Sequence, residues 1–561
     1  MSINNSMNKL LEQLRACKCA NLILYLIFVA TIYLQCIFFN DSFGFNRVYE
    51  GYKIAIAMLI ASPVFLFRGK SWMIWFSVFI NIWGISNLVY YRANAVLIDA
   101  YSVTMIGNMD GFWASVPFYI KASDFLSFYT TLIVVLFYVL FKNNRRQIWA
   151  AFVAMILSIV VHVISCKEAN EESDLYNPFS ISDASFGRWE MYDKALYTKF
   201  TSIIHHFIYE THYYFRKVVF TSSSYELSED DEKNICKFVT KGENTPVPIR
   251  PIFIILLESF ETCVLHPDIM PNLYEFAQGE NILYAKRIKT QTRKGTSADG
   301  QMIVNTGLLP TKEGAACFRF PDNIYPAISH LYDKTFNIIP GGKSVWNQLY
   351  MNKAYGINDG LDAVSDDKVL FDKFIENYSK YNYGMLLTMS THTPFTVYSN
   401  RSRLVMPDDM PTHFANYLKC FNYTDNSLKP FLDRIKEDEY LKNSVIVFTG
   451  DHAIFYKSQR DLFVNYCKEN NLPYNVEEKF SSFIMYSPDI KGNITIEDCA
   501  YQMDVYPTIL NAIGCEKYYF GGFGVNLLEK GALKEREITE EEAFELSDKI
   551  HQSNYFKVLY Q

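Results

Sequence analysis

Long apolar runs dominate the first third of the chain, and the remainder alternates short apolar runs with amphipathic ones. Five runs, at about 20–39, 51–67, 71–91, 124–141 and 147–165, each approach the ~20 residues that a helix needs to cross a bilayer. Five such runs are too many to bury in a soluble core. The first is too long to be a removable leader, and no small-residue cleavage site follows it. From about 248 the pattern changes. The runs at 252–257, 383–388 and 444–448 are continuous and apolar, as strands buried on both faces are, while 270–278 and 417–437 carry helical periodicity. This alternation predicts βαβ units and a mostly parallel sheet. The expected layout is a domain of five transmembrane helices at 1–166, a helical connector at 167–247, an α/β domain at 248–528 and a peripheral, charged helical segment at 529–561.

Charge gives this layout an orientation. Basic residues gather in the leader (Lys9, Arg15, Lys18), in the loop after the second run (Arg68, Lys70) and in the loop after the fourth (Lys142, Arg145, Arg146). The other loops are poor in them, so the positive-inside rule predicts a cytoplasmic N-terminus. Five crossings then export everything after Cys166. The connection at 92–123, with Tyr101, Met105, Met109, Phe112 and Trp113, predicts a helix lying on the membrane surface. A net charge of −7 with mixed signs leaves no basic footprint for nucleic acid. Eleven cysteines include no CxxC pair. An exported domain permits disulfides without specifying one, and free thiols are an equal alternative. Adjacent His205 and His206 point to different helix faces and read as a solvated or packed pair rather than a metal site.

The candidate chemistry sits at the ends of the strand runs. One ends at Glu258, and another passes through Gly450 into Asp451 and His452. In open α/β sheets ligands collect at the carboxyl ends of strands. A carboxylate from one strand, with a carboxylate and an imidazole from another, is a donor set for a borderline divalent metal. His392, in Ser390-Thr391-His392-Thr393-Pro394-Phe395, follows a third run. It is placed to bind a substrate oxygen or to protonate a leaving alkoxide, with a purely structural histidine as the alternative. Between these lies Gly295-Thr296-Ser297. At a helix N-terminus a hydroxyl there suits attack on a phosphate or sulfate ester; an ordinary helix cap by Thr296 or Ser297 is the competing reading.

In this order the motifs resemble those of the lipoteichoic acid synthase group of membrane phosphoglycerol transferases, within the alkaline phosphatase and sulfatase superfamily. The resemblance rests on Leu257-Glu258-Ser259-Phe260, Gly295-Thr296-Ser297, His392-Thr393-Pro394-Phe395, Gly450-Asp451-His452, the 502–510 segment, Gly524-Val525-Asn526-Leu527-Leu528 and Tyr90-Tyr91-Arg92. It implies a sulfatase-like catalytic domain outside a bacterial cell membrane. It implies one divalent cation (Mn²⁺ first, Mg²⁺ or Zn²⁺ as alternatives) held by Glu258, Thr296, Asp451 and His452. Thr296 would take a phospholipid head group as phospho-threonine and pass it to a glycan or lipid acceptor, with Trp346 binding the head group. Two departures bear on that head group. Gln348 stands where the family has an arginine two residues after the tryptophan, and Ile338-Ile339-Pro340-Gly341-Gly342-Lys343 lacks the family's histidine, which leaves Lys343 to supply positive charge. The Cys/Ser-x-Pro-x-Arg signature of true sulfatases is absent around Thr296. A phosphoethanolamine transferase is the near rival. A phosphate or sulfate ester hydrolase and a non-catalytic binding module are the others.

Overall fold

The computed structural model describes residues 12–15, 17–45, 50–94, 97–102, 116–141, 143, 145–172, 198, 201–215, 226–240, 246–340, 345–361, 365–455, 457–474, 476–477 and 479–558. The chain divides into two compact units, Met1–Ala100 with Val116–Thr221, and Tyr101–Ser115 with Ser222–Gln561. The expected surface helix around 103–115 and the connector over 173–197 lie outside the described residues.

The first unit is built from α1 (Ala20–Ser42), α2 (Glu50–Ala61), α3 (Trp72–Asn94), α4 (Phe128–Phe141), α5 (Ile148–Glu172) and α6 (Ile203–Tyr213). Among the described residues four helical segments are long and apolar enough to cross a membrane: Ala20–Ser42, Trp72–Ala93, Ala122–Phe141 and Ile148–Ser165. The run at 51–67 is shorter as a helix than as an apolar stretch. α2 gives way to a 3₁₀ turn over Ser62–Phe65, because Pro63 has no N–H to continue the α-helical ladder. The helices carry exposed Trp75, Leu132, Trp149, Phe152, Ile156 and Ile159 on their outer faces, as lipid-facing surfaces do. Their inner faces carry polar residues that bond across helices. The Gln35 amide donates to Ser77 Oγ at 2.9 Å and Asn81 Oδ1 at 3.0 Å, and Ser77 and Asn81 meet Thr131 Oγ1 at 2.7 and 2.9 Å. This joins α1, α3 and α4 where apolar packing alone discriminates poorly between partners. Arg92 at the end of α3 grips Asp124 in a fork at 2.6 and 2.7 Å. The two adjacent histidines have separate partners: His205 Nδ1 meets Ser202 Oγ at 2.8 Å and His206 Nε2 meets the Ile98 carbonyl at 2.6 Å.

Among its described residues the second unit holds a nine-stranded sheet with the path β4-β3-β5-β1-β6-β7-β2-β8, and β9 beside β2. The strands are β1 (Ile252–Leu257), β2 (Ile282–Lys289), β3 (Thr335–Ile338), β4 (Asp359–Gly360), β5 (Tyr383–Leu387), β6 (Val445–Gly450), β7 (Phe480–Tyr486), β8 (Asn493–Ile496) and β9 (Ala500–Tyr501). All pairs are parallel except those of β7 with β6 and β2. The central strand explains its own composition. Ile252, Ile254 and Leu256 enter one hydrophobic core and Phe253, Ile255 and Leu257 the other, so no position is left for a polar residue until the strand ends at Glu258.

Helices cover both faces: α7 (Ser297–Thr306), α8 (Asp367–Asn377), α9 (Thr412–Glu437), α10 (Lys457–Glu469), α11 (Val505–Ala512) and α12 (Glu540–Ser553). The C-terminal segment is not peripheral. Ala543, Leu546 and Ile550 of α12 and Phe556 beyond it are buried in the core, because the charges of this segment occupy one helix face and a 3–4 residue apolar spacing occupies the other. Ten cysteines are free thiols among the described residues, and five of those after Ser222 are buried.

A buried ion pair ties the ends of this sheet together. Arg460 Nη1 and Nη2 donate to the two Glu261 oxygens at 2.8 Å each, and Glu261 Oε1 also accepts from the Ile454 and Phe455 backbone N–H groups. Removing the cation strands a desolvated carboxylate, so Arg460→Met should lower the unfolding free energy of the full chain by about 3–5 kcal/mol. Denaturant titration of the two proteins checks this.

Candidate active site

β1 and β6 are neighbours in parallel register, with Leu257 opposite Gly450. Their carboxyl ends therefore deliver Glu258 and the Asp451-His452 pair to one point. One ligand atom from each of these three buried residues lies within 4.8 Å of the others. His452 Nε2 is 3.2 Å from Glu258 Oε1 and 3.6 Å from Asp451 Oδ2. His452 Nδ1 meets the Ala453 carbonyl at 3.1 Å. A carbonyl only accepts, so Nδ1 carries the hydrogen and Nε2 faces the carboxylates.

The carboxylates are held by hydrogen bonds that leave one oxygen aimed inward. Asp451 Oδ1 accepts from Ser259 N at 2.8 Å and His452 N at 2.7 Å. Asp451 Oδ2 is buried with no hydrogen-bond partner. Glu258 accepts from Ser259 Oγ at 2.7 Å and from Ser297 Oγ at 2.9 Å. Ser259 reaches this position through a left-handed backbone, φ 58°. A desolvated, unpartnered carboxylate oxygen beside a second carboxylate is costly unless a cation meets it. This donor set fits one divalent metal.

The electrostatics point the same way. Burial pushes the Asp451 carboxyl well above its ordinary range, and the adjacent Glu258 carboxylate adds to the shift. Burial also pushes Glu258 up, but His452 and His392 outweigh it and hold the Glu258 carboxyl below its usual range. Burial opposes a charged His452, yet Asp451 and Glu258 raise it to about 10. The two carboxylates favour positive charge at this point.

Thr296 is the residue before α7 and is linked to the carboxylates through its neighbour, since Ser297 bonds Glu258. The Thr296 backbone is left-handed, φ 39°. Its side chain makes no capping bond to the helix, so the ordinary cap considered from sequence is absent at this residue. Two further contacts press this helix onto the β6 loop. A Cβ on Gly300 would lie 2.4 Å from the Asp451 carbonyl oxygen, so only glycine allows the approach. Gln502 Nε2 donates to the same carbonyl at 2.8 Å, while Gln291 and Gln502 exchange bonds through Gln291 N and Met503 N at 3.0 and 2.9 Å. Neither glutamine announces this role in the sequence, because the contact spans some two hundred positions.

His392 follows β5, and its neighbour Thr391 donates to the Glu258 carbonyl at 2.6 Å. His392 Nδ1 meets the Thr393 carbonyl at 2.7 Å, so Nδ1 carries the hydrogen. Asp367, buried at the start of α8, accepts from Met389 N and Ser390 N at 2.7 and 3.0 Å and so holds this loop. Trp346 lies beyond β3 in a left-handed conformation, φ 49°, and packs on Phe318 with ring centroids 6.3 Å apart. Gln348 donates to Asn352 Oδ1 at 2.7 Å, and Asn352 bonds Asn337 at 2.6 Å; these are neutral amides. Lys343 lies outside the described residues.

Two family models match the chain: the lipoteichoic acid synthase N-terminal domain over residues 5–217 and the sulfatase domain over residues 318–515. The sulfatase match contains His392, Asp451 and His452 and begins after Glu258 and Thr296. The lipoteichoic acid synthase of Staphylococcus saprophyticus is 24% identical over 518 residues, 85% of this chain and 78% of that protein. The same enzyme of Staphylococcus aureus is 24% identical over 519 residues, with the same coverage. The lipoteichoic acid synthase LtaP of Listeria monocytogenes aligns over 59% of this chain and 98% of its own, with a TM-score of 0.46 and 18% identity.

The packing of α7 against the β6 loop gives a direct test. Gly300→Ala should push the helix off the Asp451 carbonyl and weaken Mn²⁺ binding by about 10–100-fold, as loss of support around metal ligands does elsewhere. Calorimetric titration of the full chain measures it.

Proposed function

We propose that this chain, a member of the lipoteichoic acid synthase-like group of the alkaline phosphatase and sulfatase superfamily, is a membrane-anchored phosphotransferase that moves a phospholipid head group through Thr296 to an acceptor outside the cytoplasm. One observation carries the reading. A buried Glu258–Asp451–His452 group suited to a cation shares hydrogen bonds with the turn that bears a strained threonine. Membrane-crossing helices on the same chain fit a donor that never leaves the bilayer. The distribution of Lys and Arg supports an exported active domain.

In the first half-reaction Thr296 Oγ bonds to phosphorus and the bond from phosphorus to the lipid glycerol oxygen breaks. The threonine proton passes to solvent water, and His392, as the imidazolium, gives its Nε2 proton to the departing oxygen. In the second half an acceptor hydroxyl gives its proton to His392 Nε2 and attacks phosphorus, and the Thr296 oxygen leaves and takes a proton from solvent water. Glu258, Asp451 and His452, with Thr296, would hold a divalent cation. Such a cation supplies the charge that makes a threonine hydroxyl acidic and stabilises the phosphoryl oxygens. Trp346 is read as the wall of the head-group site. The neutral amides of Gln348, Asn352 and Asn337 suit a head group that carries no extra negative charge.

The test uses the full chain in vesicles of phosphatidylglycerol and phosphatidylethanolamine with Mn²⁺. Diacylglycerol should form, and mass spectrometry should find glycerol phosphate on Thr296. Ethanolamine phosphate there would move the assignment to the rival transferase. Thr296→Ala should lower turnover by at least about 10³-fold; native turnover in that variant defeats the nucleophile assignment.

A further inference from the structure

Thr296 holds a backbone conformation, φ 39° and ψ −110°, that is costly for a β-branched residue, of order 1–3 kcal/mol. Such strain persists only where neighbours over-determine it. Thr296 N donates to the Arg293 carbonyl at 3.1 Å, Ala298 N and Asp299 N to the Gly295 carbonyl at 2.8 and 3.4 Å, and Gly300 N to the Thr296 carbonyl at 3.0 Å. Ser297 Oγ is held by Glu258. A further tie is a side chain. Asp299, three residues on and 1% exposed, accepts through a single oxygen, Oδ2, from both Arg293 N and Gly295 N at 2.9 Å. Its other oxygen lies over Gly295, where a Cβ would come within 2.0 Å of it. The Arg293 guanidinium does not pair with it but sits 3.9 Å from the Phe544 ring centroid. A buried carboxylate without a cation is expensive, and here its hydrogen bonds go to the backbone of the turn.

We propose that Asp299 is a positioning residue for the nucleophile: as a clamp on residues 293–295, packed against a glycine that leaves it room, it fixes the direction of the Thr296 hydroxyl. It touches no substrate and contributes through Thr296. The inference rests on the reading of Thr296 given above. It assigns geometry, not charge, to the carboxylate, because one acceptor oxygen makes both bonds. Asparagine offers that same oxygen. Alanine at 299 removes the clamp, and alanine at 295 displaces it from the other side.

The experiment measures diacylglycerol release from phosphatidylglycerol vesicles by the full chain, with Mn²⁺ affinity and thermal unfolding as companions. Asp299→Ala and Gly295→Ala should each lower kcat by about 100-fold, the cost of a misplaced reacting group. KM should stay within about threefold, and Mn²⁺ affinity should fall no further than it does in Thr296→Ala, because Glu258, Asp451 and His452 are untouched and only the Thr296 hydroxyl is misdirected. Asp299→Asn should keep kcat within about fivefold of native, since it restores the two-bond acceptor. The double variant should be no slower than the slower single one, because both disable one device. Native kcat in either alanine variant overturns the clamp, as does an Asp299→Asn variant as slow as Asp299→Ala. If Asp299→Ala does not fold, Gly295→Ala and Asp299→Asn decide the matter alone. Thr296→Ala separates the two levels: native turnover there defeats the nucleophile reading, whereas an inactive Thr296→Ala beside fully active clamp variants defeats only the clamp.

Discussion

The parallel pairing of β1 with β6 is the constraint on which the rest of the site depends. Placing Leu257 opposite Gly450 brings two carboxylates, Glu258 and Asp451, into one buried pocket. Two buried carboxylates side by side repel unless a proton or a cation offsets them. His452, the next residue in the chain, sets its Nε2 3.2 Å from Glu258, and a neutral imidazole there is chemically able to join the carboxylates on a metal. The same requirement explains the surrounding hydroxyls and amides. Ser259 and Ser297 donate to Glu258, and backbone N–H groups orient Asp451, so that the remaining lone pairs converge.

Around this centre the fold uses buried polar side chains to hold loops rather than to meet ligands. Glu261 with Arg460 holds the chain after His452, Asp367 holds the approach to His392, and the Gln291–Gln502 pair holds the Asp451 carbonyl. Each loop carries one of the proposed working residues. Loops supported this way keep their geometry without filling the pocket. That is compatible with a substrate whose head group must enter and whose lipid oxygen must leave.

Much of this was legible before any coordinates. A strand buried on both faces excludes charge along its length, so the first charged residue after it marks its carboxyl end; Glu258 and Asp451 are each found that way. His392 and the Gly295-Thr296-Ser297 turn follow from the same placement. The clamp at Asp299 and the glutamine pair were not legible, because an acidic residue in the first turn of a helix and a glutamine in a loop are ordinary at that level. Their meaning lies in backbone partners that only the folded chain supplies. The buried face of the C-terminal helix does not show in its charge count, and the apolar run at 51–67 continues past Pro63, beyond the end of α2.

The claim that three side chains from two adjacent strands hold a single cation next to Thr296 is tested most directly by anomalous diffraction from crystals of the protein grown with Mn²⁺. The account predicts one strong manganese peak bonded to Glu258, Asp451 and His452, with the Thr296 hydroxyl as a further ligand. A peak elsewhere, or manganese bound without Glu258 and Asp451, would contradict it.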